Sequence, residues 1–178
     1  MQSSGIDWDT CCDPEELIDS LNARGNVPAV QFRQFSLACC RRVQELLPNK
    51  TFRDAILKVE RFAADRLSEE DRLAVHEGIW TALKALPGFD SFNLGEMEDS
   101  SYSAALVVLF AIWIDTRRNH GNADGALYVV FHTVKALAGS RGISQADNPQ
   151  RWEEESLVEK RALAELVREM FDRPAETC

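Results

Sequence analysis

Two adjacent cysteine pairs, Cys11-Cys12 and Cys39-Cys40, are the first residues in this chain whose types could do chemistry. Thiolates ligate soft metals. Structural zinc sites draw on C-x2-C spacing, which lets two sulfurs point at one ion. Adjacent cysteines on a helix point about 100° apart, so at most one from each pair suits a shared ion. The candidate ligand set is therefore Cys11 or Cys12 with Cys39 and a histidine, His132 being the candidate among the three in the chain. Beside it stands a plainer reading, in which Cys39 and Cys40 are small buried hydrophobes on a core helix.

The other chemistry-bearing residues are sparser. His76, His120 and His132 include no two that are four residues apart, so no helical metal pair of the H-E-x-x-H kind exists. His120 suits the negative end of a helix dipole, and His132 reads as a core or boundary histidine. Asp115, at the end of an apolar run, is either a perturbed acid in a cleft or half of an ion pair with Arg118 or an arginine of the second helix. Arg33, Arg41 and Arg42 form a basic cluster that can grip carboxylates in a bidentate way. In so acidic a chain they are expected to pair with its own acids in the first or seventh helix. The sequence holds no glycine-rich phosphate loop, no G-x-S-x-G elbow and no Cys-His pair identifiable by spacing. No catalytic residue is assigned and no cofactor is expected.

Composition bounds the partners. Net charge is −9, from 20 Lys and Arg against 29 Asp and Glu. Such a field repels nucleic-acid backbones and anionic membranes. It permits a basic partner, and it also serves plain solubility. The opening residues lack a basic and then apolar secretory pattern, so a cytoplasmic location with reduced thiols is the default expectation. The longest apolar run, Ala104 to Ile114, is 11 residues, short of the ~20 a membrane helix needs. It reads as a helix buried in protein.

The elements that must position these residues are all helical. With 178 residues, the chain fits one domain burying about 70% of its unfolded surface. Asp13, Pro14 and two glutamates open a first helix to about Ala23. A second runs from near Pro28 to before Pro48, with Phe32, Phe35, Cys39, Val43 and Leu46 on its apolar face and the arginines outward or at an edge. A third spans Thr51 to about Leu67, with Thr51 and Asp54 as a capping box. Ser68 caps a fourth, whose inner face is Leu73, Ile79, Trp80, Leu83 and Leu86. Residues 88–99 read as a loop. A fifth helix, about Ser103 to Arg118, is apolar nearly all round and so central. A polar turn, Asn119 to Gly125, leads to a sixth, also mostly apolar, ending near Ala138. Asn148 and Pro149 open a seventh to about Phe171, whose run of Glu153, Glu154, Glu155 and Glu159 reads as a solvated face. The expectation is an all-α, single-domain bundle of about seven helices over residues 1–178, with two central apolar helices and loosely ordered ends at 1–12 and 173–178.

Three segments resemble a helical domain of unknown function abundant in planctomycete proteins. They are Trp8 to Leu21, with its Trp, Cys and Asp-Pro; Phe32 to Phe62, with the run Phe35 to Val43 and then Glu60-Arg61-Phe62-Ala63; and Leu166 to Pro174. The similarity covers about the first 70 residues and the last ten, while Ser100 to Ala138 departs from that pattern. It implies an all-helical domain that accompanies varied modules, with no catalytic residues to transfer.

The functional expectation is a non-catalytic protein-interaction or regulatory module, with an immunity-type protein neutralising a basic partner as its more specific form. Trp8, Phe89 and Phe92 are its candidate interface aromatics. A metal- or thiol-dependent activity using Cys39 with Cys11 or Cys12 is the first alternative. A small-ligand binder with a pocket between the fifth and sixth helices is the second.

Overall fold

A computed structural model describes residues 6–25, 27–89, 99–113 and 121–171. The described residues form seven α-helices: α1 (Pro14–Ala23), α2 (Ala29–Arg42), α3 (Lys50–Ala63), α4 (Glu69–Lys84), α5 (Ser100–Trp113), α6 (Gly121–Gly139) and α7 (Pro149–Met170). Among the described residues there is no strand, and no helix is long and apolar enough to cross a membrane.

Local chemistry sets most of the boundaries. Asp13 accepts from the Glu15 amide, Ser68 from Asp71 and Asn148 from Arg151, so each fills one orphan donor at a helix start. The cap of α3 is Asn49, which accepts from the Thr51 amide at 2.9 Å. The expected Thr51–Asp54 box does not form, and Asp54 pairs with Lys50 instead. That helix also stops at Ala63, because Asp65 adopts the left-handed conformation (φ 58°). Asp and Asn tolerate that region better than most residues. The second helix ends at Arg42 and tightens into a 3-10 turn, Gln44–Leu46. Residues 121–125, expected as a turn, are helical. Gly125 within the helix costs about 1 kcal/mol relative to alanine, and the complete burial of Ala126, Val129 and Val130 outweighs it. Helix α5 begins at Ser100, with Asp99 accepting from the Ser101 amide at 2.7 Å.

The core is built around α5. From Tyr102 to Ile112 every side chain of α5 is buried except Phe110. Helices α2, α3, α4 and α6 pack directly on it, α6 most extensively, and α1 and α7 close the far side of α6. Phe171, just beyond α7, sits 5.3 Å from Phe32 and 6.1 Å from Phe35 between ring centroids, tying the chain's last described turn to α2. Of the ends expected to be loose, residues 1–5 and 173–178 lie outside the described residues. In the intervening segment, Trp8 is buried and Arg168 donates to the Cys11 carbonyl at 2.7 Å.

Five arginines brace the bundle, and their placement corrects the expected faces. Arg42 and Arg141 both grip Glu159, which is 5% exposed rather than part of a solvated run. Arg41 pairs with Glu60 and Arg33 with Asp65, so two of the cluster's three partners lie at α3 and only one in α7. Arg33 is buried, not outward, with its guanidinium 5.1 Å from the Phe62 ring centroid. On α4 the inward position belongs to Arg72, which donates to the Ile112 carbonyl at 2.9 Å near the end of α5. Its neighbour Leu73, about 100° round the helix, is exposed.

Glu159 joins α2, α7 and the turn after α6. Glu159→Ala is expected to cost about 2 kcal/mol, because two charge-assisted contacts go and two guanidiniums must rehydrate. Glu154→Ala, on the exposed face, is expected to change stability by less than about 0.5 kcal/mol. Urea unfolding of both variants checks the contrast.

Candidate functional site

The residues singled out by type separate into three places. Cys39 is wholly buried on α2, beside Thr133 of α6. Burial pushes its thiol up to about 12, against the smaller opposing pull of Thr133 and Arg42. Cys40 is equally buried, its thiol directed at the Val107 carbonyl of α5, and burial raises it well above the usual 9.0. Both are core side chains. Cys11 and Cys12 lie in the segment before α1. The Cys11 thiol, raised chiefly by burial, donates to the Asp13 carbonyl at 3.4 Å and to Glu16 at 3.5 Å. Cys12 is exposed and donates to the Thr10 carbonyl.

His132 follows Thr133's neighbourhood in sequence but not in space. One residue of helical advance turns it about 100°, so Thr133 meets Cys39 while His132 lines a different cavity. Among the described residues, no group of three or more His, Cys, Asp or Glu side chains could hold a metal ion. Asp115, Arg118 and His120 lie outside the described residues.

Of the aromatics named above as interface candidates, those within the described residues are buried or half-buried. Trp8 is buried. Phe89 is half-buried against Trp80 and Tyr102, and Phe92 lies outside the described residues. Among the described residues the exposed aromatics are Tyr128 and Phe131 on α6, at 55% and 45% exposure.

These two border a cavity of about 600 Å³ between α1, α5 and α6, lined by Glu15, Phe110, Asp124, Leu127, Tyr128, Phe131 and His132. The helical repeat explains the lining. Asp124, Tyr128, Phe131 and His132 recur at steps of three and four, so they share one face of α6. Phe110, the one partly exposed side chain of the buried α5 stretch, meets that face. Its ring stacks on Tyr128 (4.9 Å, 16°) and on His132 (5.4 Å, 7°). Phe131 meets His132 edge-on at 5.0 Å. From α1, Glu15 supplies a carboxylate whose pKa is raised by burial, offset in part by Lys160.

Within the cavity His132 is neutral near pH 7. Burial, aided by the charge of Lys135, pushes its pKa down to about 4. It is 4% exposed and its Nδ1 makes no hydrogen bond within the chain. A second hollow, of about 400 Å³, lies on the other side of α1, lined by Ile6, Cys11, Cys12, Glu16, Leu157 and Lys160 among others. The site thus combines aromatic faces, a neutral imidazole and carboxylates. Among the described residues that line it there is no serine, threonine or cysteine.

No family model, curated protein or solved structure matches the chain.

Two outcomes are expected. On native alkylation Cys12 is modified, while Cys39 and Cys40 react only after denaturant exposes them; peptide mass spectrometry reads the order. For His132, the folded pKa of about 4 lies below the ordinary 6.5, so the unfolded chain takes the proton first. The stability it contributes is complete above pH 6.5 and is lost as pH falls toward 4, about 3 kcal/mol in all. The difference in unfolding free energy between wild type and His132→Phe, followed across that window, should show this slope. A flat difference would contradict it.

Proposed function

We propose that this chain is a non-catalytic protein-interaction module that docks a basic partner on the face formed by α1 and α6. The observation that carries this reading is the pair of exposed aromatics, Tyr128 and Phe131, standing beside the carboxylates of Glu15 and Asp124 at an open cavity. Aromatic side chains with apolar bodies concentrate binding energy at interfaces. Carboxylates around them select a cationic surface and reject an anionic one. Ile6, Leu157 and Val158 are also exposed, and Ile6 and Leu157 line the second hollow. Net charge of −9 adds a long-range attraction of the same sign.

The small-ligand alternative draws support from the same cavity, which lies at the α5–α6 junction and has the volume of a small-molecule site. The metal- or thiol-dependent alternative draws none from the described residues. Its cysteines are split between a sealed core and the segment before α1, with raised pKa values at Cys11 and Cys39.

A photo-crosslinking residue in place of Tyr128, introduced in the native host, is expected to capture one protein through a Lys- or Arg-rich segment. The same residue in place of Leu57, exposed on α3, should not. With the partner purified, Tyr128→Ala/Phe131→Ala should weaken binding more than tenfold, since central aromatics are each worth about 2 kcal/mol or more. Equal capture from both positions, or an acidic captured segment, would remove the proposal.

A further inference from the structure

Resting on the docking reading above, we infer that the cavity between α1, α5 and α6 seats one arginine side chain of the basic partner. The polar groups that line it ask for a donor. Glu15 and Asp124 offer carboxylate oxygens, and a neutral imidazole carries one lone-pair nitrogen. In the Nε2–H tautomer that nitrogen is Nδ1, which is buried without a hydrogen bond in the chain. A buried acceptor without a donor is costly, so a ligand that brings N–H groups and no acceptors is the complementary one. Arginine has five such donors and none of the lone pairs that a carboxylate wall would repel.

Glu15 has charge to offer. Lys160 lies 2.8 Å from Asp13 but 3.9 Å from Glu15, so its ammonium is committed mainly to Asp13. Burial raises the Glu15 pKa, with Lys160 opposing it, and 42% of the Glu15 side chain stays open to solvent.

The aromatic lining distinguishes arginine from lysine. Tyr128, Phe110 and His132 are near-parallel, and Tyr128 and Phe131 keep much of their surface open. A guanidinium lies flat on such a ring while its edge donors reach surrounding oxygens; an ammonium is a compact point that cannot do both as well. The chain already seats one of its own arginines in this manner. Arg33 lies over the Phe62 ring at 5.1 Å and donates to Asp65 at 3.2 Å. The cavity repeats that combination of ring and carboxylate, and among the described residues that line it there is no arginine.

The test uses the full chain and three capped tripeptides, acetyl-Gly-Xaa-Gly-amide with Xaa arginine, lysine or citrulline, followed by the NMR signals of the His132 and Tyr128 rings. Citrulline keeps the shape of arginine and removes its charge. The arginine peptide is expected to shift both rings saturably, with lysine several-fold weaker and citrulline at least tenfold weaker. Glu15→Gln/Asp124→Asn should weaken the arginine peptide at least tenfold while His132 keeps its free-state shift, which shows the cavity intact. Equal binding of citrulline, or no saturable shift at His132, would overturn the inference. So would tighter binding of agmatine than of the arginine peptide, which would assign the cavity to a free small cation. Failure here is separable from failure of the docking reading. A basic segment crosslinked at Tyr128 with His132 unmoved keeps the docking face and removes the arginine seat.

Discussion

Helix α5 has no polar face, and that constraint organises the rest of the molecule. A helix apolar around its whole circumference cannot lie at a surface without leaving a large area of hydrocarbon in water. Four helices cover it directly, and α1 and α7 in turn cover α6, its most extensive neighbour. The first covering layer therefore has to be amphipathic, and the strong apolar stripe of α3 (Phe52, Ile56, Val59, Phe62) meets that need. Helix α6 sits between the two roles. One side of it is as buried as α5, and the other carries Tyr128 and Phe131 to the surface.

The buried charges follow from the same geometry. Seven helices around one core leave helix ends and polar stems trapped at the seams. Arg72 uses one such seam to satisfy the Ile112 carbonyl near the end of α5, with Glu69 neutralising it on the outside. Glu159 uses another, accepting from two arginines that remain partly solvated. A carboxylate in that position is tolerated because its partners hold it, and its removal strands them. These pairs give the packing its register without forming a reaction centre.

The cavity is what remains where the covering is incomplete. Phe110 is the position at which the buried stretch of α5 reaches the surface, beside the exposed Tyr128 and Phe131 of α6. The result is an aromatic hollow edged by acids, with a neutral histidine at its back.

Much of the fold was legible in the residues. Periodic apolar positions, Asp13, Ser68 and Asn148 as caps, and the unbroken run at Ala104 state an all-helical bundle with a buried fifth helix, since these signals act within a few residues of one another. What sequence could not assign were properties set by neighbours distant in the chain. Arg33 and Glu159 look like surface charges, and only the approach of Phe62, Asp65, Arg42 and Arg141 puts them inside. Tyr128 looks like any other member of an apolar helix, and only the packing of the bundle shows it to be exposed. His132 and Cys39 were grouped by their chemistry, yet the turn of about 100° between adjacent helical residues sends Thr133 to Cys39 and His132 to the cavity. Local sequence decides which helices form and which stripe each one buries. The packing of seven helices against one another decides which side chains meet, because those contacts join residues separated by tens to more than a hundred positions, as Arg42 and Glu159 are.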